Sequence, residues 1–316
     1  MLLKFLWSGG TIMEIGMILL KQIVIMFVLM GVGFFLFRKK MITNQGSKDI
    51  GKILLYIVIP VVIISSFWIE RTPEKITALV QSAAISAVCM FLAVFISWLI
   101  FGKRNGISCF STAFSNAGFI GIPLVQAVLG SDAVFYISIM IVLINALQWT
   151  FGVYMISGNK EVMNLKAVIK NPIVVSVVIG LFLYFLNVPC PEMASTLFSS
   201  IKGLNTPLAM IVSGVFLAQS DLGRMFAKKE VWTVSLFRLV LIPLITMFVF
   251  WVIPFGTLNI KLAVLIASAC PVGSNAAIFA QQYEKSYTEA VENVCMSTLL
   301  CLITLPLVVT AASMIL

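Results

Sequence analysis

Runs of about 20 apolar residues recur along the whole chain, separated by short polar segments. Each run is long enough to cross the hydrocarbon core of a bilayer as an α-helix. The predicted spans are 16–37, 50–68, 76–101, 109–130, 133–156, 172–188, 204–219, 231–254, 262–283 and 290–315. The pattern therefore predicts an all-α polytopic membrane protein with ten transmembrane helices, two of which, the fourth and the ninth, contain helix-breaking residues near their centres.

Composition supports this class and excludes others. Of 316 residues, 61% are hydrophobic and only 10% are charged, far from the balance of a soluble domain. The net charge of +9 is scattered over short loops, so we expect a membrane lipid environment and no nucleic-acid partner. The chain has no histidine, which removes histidine metal sites, histidine proton relays and serine–histidine catalysis. No cofactor and no structural metal site is expected.

The basic residues predict the orientation in the membrane. The loops that follow spans 1, 3, 5, 7 and 9 hold fourteen Lys and Arg residues, whereas the other side holds five. The positive-inside rule places the first set in the cytoplasm. The expected location is the bacterial plasma membrane, with multiple passes and both termini outside.

Prolines indicate an internal repeat. Pro60 and Pro123 lie 63 positions apart in spans 2 and 4, and Pro207 and Pro271 lie 64 apart in spans 7 and 9. A unit of five spans is odd, so the second unit must enter the membrane from the opposite side, which is an inverted repeat of the kind found in secondary transporters. Chance is the alternative, since membrane helices tolerate proline.

This repeat divides the chain into two units and a connection. The first five-helix repeat covers residues 1–156, a short cytoplasmic linker covers 157–171, and the second, inverted five-helix repeat covers 172–316.

Spans 4 and 9 carry residues that interrupt a helix. Proline lacks an N–H group and clashes with the carbonyl four residues earlier, and glycine weakens a helix. The half-helix that restarts after such a break presents free N–H groups that attract anions, whereas the half-helix that stops presents carbonyls that suit cations. The predicted substrate site is Asn116, Ala117, Gly118, Gly121, Pro123, Asn145, Pro271, Gly273, Ser274 and Asn275.

Other interpretations of these polar residues stay open at this stage. Each break is also explained by a proline kink whose asparagine bonds a neighbouring helix. Asn145 and Gln148 share one face of span 5 and either bond another helix or form a second wall of the site. A candidate sodium site lies near Ser115, Gln148 and Ser274, because sodium needs only carbonyl, hydroxyl and amide oxygens.

Charged residues within spans are few. Arg238 lies seven residues into span 8, and either snorkels to the surface or faces a cavity where it attracts anions. Lys21 near the end of span 1 is expected to snorkel. No Asp or Glu lies near a span centre, which favours sodium over a buried proton carrier as the coupling ion, with proton coupling left open.

Several stretches in order resemble the auxin efflux carrier family. They are "FSNAGFIGIPL", "KNPIVVSVVIGL", "TPLAMIVSGVFLA", "FRLVLIPL", "PVGSNAAIFAQQY" and "STLLCLITLPLV". The resemblance implies a fold similar to bile acid:sodium symporters, with a scaffold from helices 1, 2, 6 and 7 and a transport domain from helices 3–5 and 8–10 that moves like an elevator. Helices 4 and 9 would cross at their broken centres and hold the substrate.

The same resemblance implies the substrate class and the assembly. Family substrates are organic anions, such as auxin in plants and malate or malonate in some bacteria, and relatives form dimers, here a homodimer through scaffold helices 2 and 7. Plant members carry a long cytoplasmic loop between the halves, whereas residues 157–171 are short. Regulation through such a loop is not expected.

The sequence thus predicts a secondary active transporter of small carboxylates with alternating access. The alternatives are sodium- or proton-coupled uptake of another small solute, and a channel-like facilitator. An intramembrane enzyme is not expected, because Ser274 has no histidine to activate it and no carboxylate pair lies near the span centres.

Overall fold

The computed structural model describes residues 2–102, 104–163, 165–253 and 255–316, with side chains from residue 16 onward. The predicted end of span 8 at Pro254, Lys103 of the basic loops, and Met1 and Asn164 of the predicted units lie outside the described residues.

The described residues are almost entirely helical. In chain order the α-helices are α1 (Leu2–Arg38), α2 (Asn44–Ile53), α3 (Ile59–Phe67), α4 (Pro73–Ile100), α5 (Gly106–Ala113), α6 (Ile122–Leu129), α7 (Val134–Leu147), α8 (Val153–Ser157), α9 (Leu165–Ile169), α10 (Pro172–Phe185), α11 (Glu192–Lys202), α12 (Asn205–Gln219), α13 (Leu222–Ala227), α14 (Lys229–Leu236), α15 (Ile242–Val252), α16 (Leu258–Ala269), α17 (Asn275–Gln282) and α18 (Tyr287–Ile315). Wider π-helical turns join several of them: Leu54–Val58, Ala117–Gly121, Gln148–Gly152 and Phe237–Leu241.

Three of the π-helical turns have a common cause in the sequence. The turns that end at Val58, Gly121 and Leu241 are each followed, two residues later, by proline: Pro60, Pro123 and Pro243. Proline cannot donate to the carbonyl four residues before it, and its ring pushes that carbonyl away. A widened turn absorbs the mismatch without ending the helix.

Eight helical segments among the described residues are long and apolar enough to cross a membrane. They coincide with predicted spans 1, 2, 3, 5, 6, 7, 8 and 10. Predicted spans 4 and 9 fall short of that length because each is divided into two shorter helices. Many large apolar side chains on the outer faces are exposed, including Phe91, Leu99, Phe182 and Trp251, as expected of helices that contact lipid.

The helices pack into one continuous assembly, in which α1 also packs on α18 and α10 on α7. α1 lies along α12 and α3 lies along α10, and these are the most extensive helix pairs in the described part of the chain. α4 packs on α7, and α18 packs on α14, α16 and α17. The broken helices of spans 4 and 9 lie against α7 and α18, and α12 contacts the turn Ala117–Gly121 of span 4.

Candidate functional site

The two broken spans meet at their breaks. After α5 the chain is extended at Phe114, and after α16 it is extended at Cys270. Ser115 and Val272 form an antiparallel bridge, in which the Asn116 N–H donates to the Pro271 carbonyl at 2.8 Å and the Gly273 N–H donates to the Phe114 carbonyl at 2.9 Å. Each break thus satisfies backbone groups of the other, which would otherwise be costly inside a membrane.

Side chains reinforce this crossing. Asn116 Nδ2 donates to Ser274 Oγ at 3.2 Å, and Asn275 Nδ2 donates to Gln148 Oε1 at 2.7 Å. Both asparagines therefore link different spans, span 4 to span 9 and span 9 to span 5. The Val272 N–H donates to Ser297 Oγ of α18 at 3.0 Å. The crossing is tied to the neighbouring helices by polar bonds rather than by apolar contact alone.

Gly273 allows the two chains to approach. A Cβ atom at this position would lie 3.3 Å from the Ser115 carbonyl oxygen and 3.4 Å from both the Phe114 carbonyl oxygen and Gln148 Nε2. These contacts are tighter than a side chain normally makes. A glycine is therefore favoured where the backbone of span 9 passes the backbone of span 4.

The restarting half-helices leave N–H groups free. Within the described residues, nothing accepts a hydrogen bond from the backbone N–H groups of Ala117, Gly118, Ser274 and Asn275. The first N–H groups of a helix have no intrahelical partner, and they carry the positive end of the helix dipole. Two such ends meet at the crossing, so the electrostatic field there favours a negative group.

A cavity of about 650 Å³ adjoins the crossing. Its inner wall is formed by residues of the two half-helix N-termini and by nearby amides: Ala117, Gly118, Ser274, Asn275, Asn116, Asn145 and Gln148. Its outer wall includes Lys48 and Lys52 of α2, Gln281 and Gln282 of α17, and Tyr287 of α18, so it opens toward the predicted cytoplasmic side. Among its described lining residues there are lysines and amides but no Asp or Glu.

The structure separates the predicted site residues into two sets. Those that line the cavity are Asn116, Ala117, Gly118, Asn145, Gly273, Ser274 and Asn275. Three predicted residues are buried outside its wall: Gly121, Pro123 and Pro271. Gly121 faces Cys270 and Ala267, and the Pro271 carbonyl accepts a hydrogen bond from the Asn116 N–H.

Sequence reasoning did not assign Lys48, Lys52 or Tyr287 to the site. Nor did it assign Gln281 or Gln282 to the site. The sequence did contain one indication of their role. All five residues lie next to the loops after spans 1 and 9, which are predicted to be on the cytoplasmic side.

The oxygens of the candidate sodium site are largely engaged. Ser274 Oγ accepts from Asn116, and Gln148 Oε1 accepts from Asn275. Ser115 Oγ is buried and has no hydrogen-bond partner among the described residues. A hard cation needs a shell of several oxygens, and of these three side chains one offers a free oxygen.

Arg238 differs from both sequence-based expectations. Its side chain is 1% exposed, so it does not snorkel, and it is not part of the cavity wall. It lies instead behind the crossing, where it donates to backbone carbonyls of spans 4 and 9. Lys21 is exposed on α1, where snorkelling is available to it.

Comparison with known proteins agrees with this architecture. The model of a family described as membrane transport protein matches residues 18–309. The chain is also 25% identical over 291 residues to an uncharacterized transporter from Methanothermobacter thermautotrophicus, an alignment that covers 89% of this chain and 94% of that protein.

Proposed function

Because the chain belongs to the auxin efflux carrier family of membrane transport proteins, we propose that it is a secondary active transporter of small organic anions. It is a multi-pass membrane transporter and not an enzyme. The observation that carries the proposed substrate class is the pair of half-helix N-termini at one cavity whose described wall contains lysines and amides but no carboxylate.

A carboxylate fits the inner end of this cavity. The free N–H groups of Ala117 and Gly118 lie on one half-helix, and those of Ser274 and Asn275 lie on the other. Hydrogen bonds from N–H groups to an ionised carboxylate are stronger than bonds between neutral groups. The amide side chains at the same place would orient the carboxylate by hydrogen bonds. They carry no fixed charge, so the bound anion can still dissociate.

The outer end of the cavity favours anions over other solutes. Lys48 is exposed at its wall, whereas Lys52 pairs with Asp49 at 2.9 Å and contributes less net charge. A cleft with one sign of charge concentrates ligands of the opposite sign. A cationic solute would be disfavoured by this wall and by the helix N-termini, and a neutral solute would gain hydrogen bonds there but no attraction between charges.

We further propose alternating access by an elevator movement. Helices of spans 1, 2, 6 and 7 contact one another through the pairs α1–α12 and α3–α10, and they would form the scaffold. Helices of spans 3–5 and 8–10 contact one another through α4–α7 and α14–α18, and they would form the moving domain. An inverted repeat would relate α1 to α10 and α3 to α12, which maps the first scaffold pair onto the second and so supports that proposal.

Assembly and placement complete the proposal. The expected protein is a homodimer through scaffold helices 2 and 7 in a bacterial plasma membrane, with both termini outside. Ile53 and Ile57 in span 2 are exposed, do not line the cavity and are available for such a contact. Uphill transport would be coupled to sodium or to protons, and a weak organic acid itself brings a proton when it crosses in its neutral form.

Uptake by proteoliposomes tests the proposal. We expect saturable uptake of a radiolabelled carboxylate, such as malate, malonate or indole-3-acetate, and a loss of apparent affinity of about 10- to 100-fold in Asn275→Ala. Asn275 Nδ2 has a second hydrogen beyond the one that Gln148 accepts. A hydrogen bond from it to a bound carboxylate would contribute about 1.5–3 kcal/mol, roughly a 10- to 150-fold change in affinity. Gln126→Ala is the matched control, because Gln126 is an amide in span 4 that does not line the cavity.

Three results would contradict the proposal. Flux that rises linearly with substrate concentration would indicate a channel-like facilitator. Uptake of a neutral solute in preference to every acid tested would indicate another substrate class. Equal losses in Asn275→Ala and Gln126→Ala would remove the crossing from the substrate site.

A further inference from the structure

Arg238 is a positive charge buried inside the protein. It lies on the π-helical turn Phe237–Leu241 and is the largest of the fully buried side chains among the described residues. The ion pairs in the described part of the chain are Lys52–Asp49 and Lys228–Glu292, so no carboxylate there neutralises it. Burial of an unpaired charge is costly, so another group must stabilise the guanidinium.

Backbone carbonyls of both broken spans surround the guanidinium. Arg238 Nη1 donates to the Thr112 carbonyl at 3.0 Å and to the Ala113 carbonyl at 3.1 Å, and Nη2 donates to the Ser268 carbonyl. Thr112 and Ala113 are the last residues of α5, and Ser268 is the penultimate residue of α16. One side chain therefore caps the carbonyl ends of both half-helices that stop at the crossing.

The charges balance at this point. The last four carbonyls of a helix have no intrahelical partner, and they carry roughly half a negative charge. Two such ends carry about one negative charge together, which is what a single guanidinium neutralises. In transporters with broken helices, these ends can instead coordinate a sodium ion or a proton-carrying group.

We infer that Arg238 is the resident cation of the crossing and takes the place that a bound alkali cation would otherwise occupy. The crossing then needs no sodium to hold its two carbonyl ends together, and anion binding on the opposite side of the crossing does not require sodium. Arg238 is a positioning residue in this account. It does not line the cavity, and it acts through the backbone of spans 4 and 9.

Two orphan oxygens support a cation at this place when the guanidinium is removed. Thr112 Oγ1 and Ser235 Oγ are buried without a hydrogen-bond partner among the described residues. Thr112 is one of the residues whose carbonyls bind Arg238, and Ser235 precedes Arg238 by three residues in the chain. Neutralising Arg238 would leave the three carbonyls without a positive partner. Such a set of hard oxygen atoms is suited to an alkali cation.

Thermal unfolding of the purified protein tests this inference without any substrate, so its outcome is separate from that of the proposed function. The midpoint is measured at constant ionic strength in sodium, potassium and choline chloride. We expect wild type to show the same midpoint in all three salts. We expect Arg238→Gln to unfold several degrees lower in choline and to regain part of the loss in sodium or potassium, and Arg238→Lys to stay close to wild type in all three.

Specific outcomes overturn the inference. A wild-type midpoint that rises in sodium relative to choline would show that the crossing still needs a bound cation. A folded Arg238→Gln variant that is as stable as wild type, or that no alkali cation restores, would show that the charge of Arg238 does not stand in for one. If Arg238→Gln does not fold, the inference is tested by the wild-type midpoints in the three salts and by Arg238→Lys. An Arg238→Lys variant that also fails to fold would overturn the inference.

Discussion

Gly33→Ala is expected to be among the most destabilising single substitutions in this protein. Gly33 lies where α1 packs along α12, and a Cβ atom there would lie 2.7 Å from Ile211 Cα and closer still to the Ile211 carbonyl oxygen. Both neighbours are backbone atoms, so relief requires the two helices to separate. Overpacking of this kind costs about 3 kcal/mol or more at the upper end of the usual range.

The expected result is a lower unfolding midpoint and a poor yield of folded Gly33→Ala in detergent. Gly31→Ala is the matched control, because it makes the same change two residues earlier in α1, where a Cβ atom meets nothing within 4 Å. Its midpoint should match wild type or rise slightly, since alanine favours a helix over glycine. Equal midpoints for the two variants would contradict the close packing of α1 on α12.

Lys228→Ala is the second substitution with a large expected effect. Lys228 Nζ contacts Glu292 Oε1 at 2.8 Å and Oε2 at 2.6 Å, and the Glu292 side chain is 1% exposed. Loss of the lysine would leave a carboxylate buried without a positive partner, which costs about 3–5 kcal/mol in a buried pair. We expect about 3 kcal/mol, because Lys228 itself is 40% exposed and water can partly replace it.

Lys52→Ala is the control for this measurement. Lys52 pairs with Asp49 at the same kind of distance, 2.9 Å, but the two side chains are 64% and 52% exposed. Its loss should cost less than about 1 kcal/mol of stability. The double variant Lys228→Ala, Glu292→Gln should recover much of the stability lost in Lys228→Ala, since it removes the buried charge as well. Equal losses for Lys228→Ala and Lys52→Ala would show that burial of Glu292 does not matter.

The helical segments were predictable because lipid and backbone chemistry impose simple rules. A span needs about 20 apolar residues, and proline or glycine within it marks a weak point. The break at Pro271, and the break of span 4 shortly before Gly118 and Pro123, could therefore be located approximately from the sequence. The helix Glu192–Lys202 was not predicted, because it does not follow the rule for a membrane span. It is amphipathic and polar enough to be taken as part of a loop before span 7.

The contacts across the crossing could not be predicted with the same rules. The pairing of Ser115 with Val272 joins residues far apart in sequence, and no local preference specifies it. The position of Arg238 is similar, because a lone arginine in an apolar span is compatible with snorkelling, with a cavity or with burial. Only the carbonyl ends of two distant half-helices explain why it is buried.

Binding of a carboxylate at the crossing is the central claim, and ligand-induced thermal stabilisation tests it most directly. Wild-type protein would be heated with malate, malonate or indole-3-acetate, each beside its uncharged amide. A ligand that binds only the folded state stabilises it by RT ln(1 + [L]/Kd), about 2.7 kcal/mol at 100 times Kd. We expect at least one acid to raise the unfolding midpoint and its amide to leave the midpoint unchanged. Stabilisation by the amides but by none of the acids would contradict the central claim.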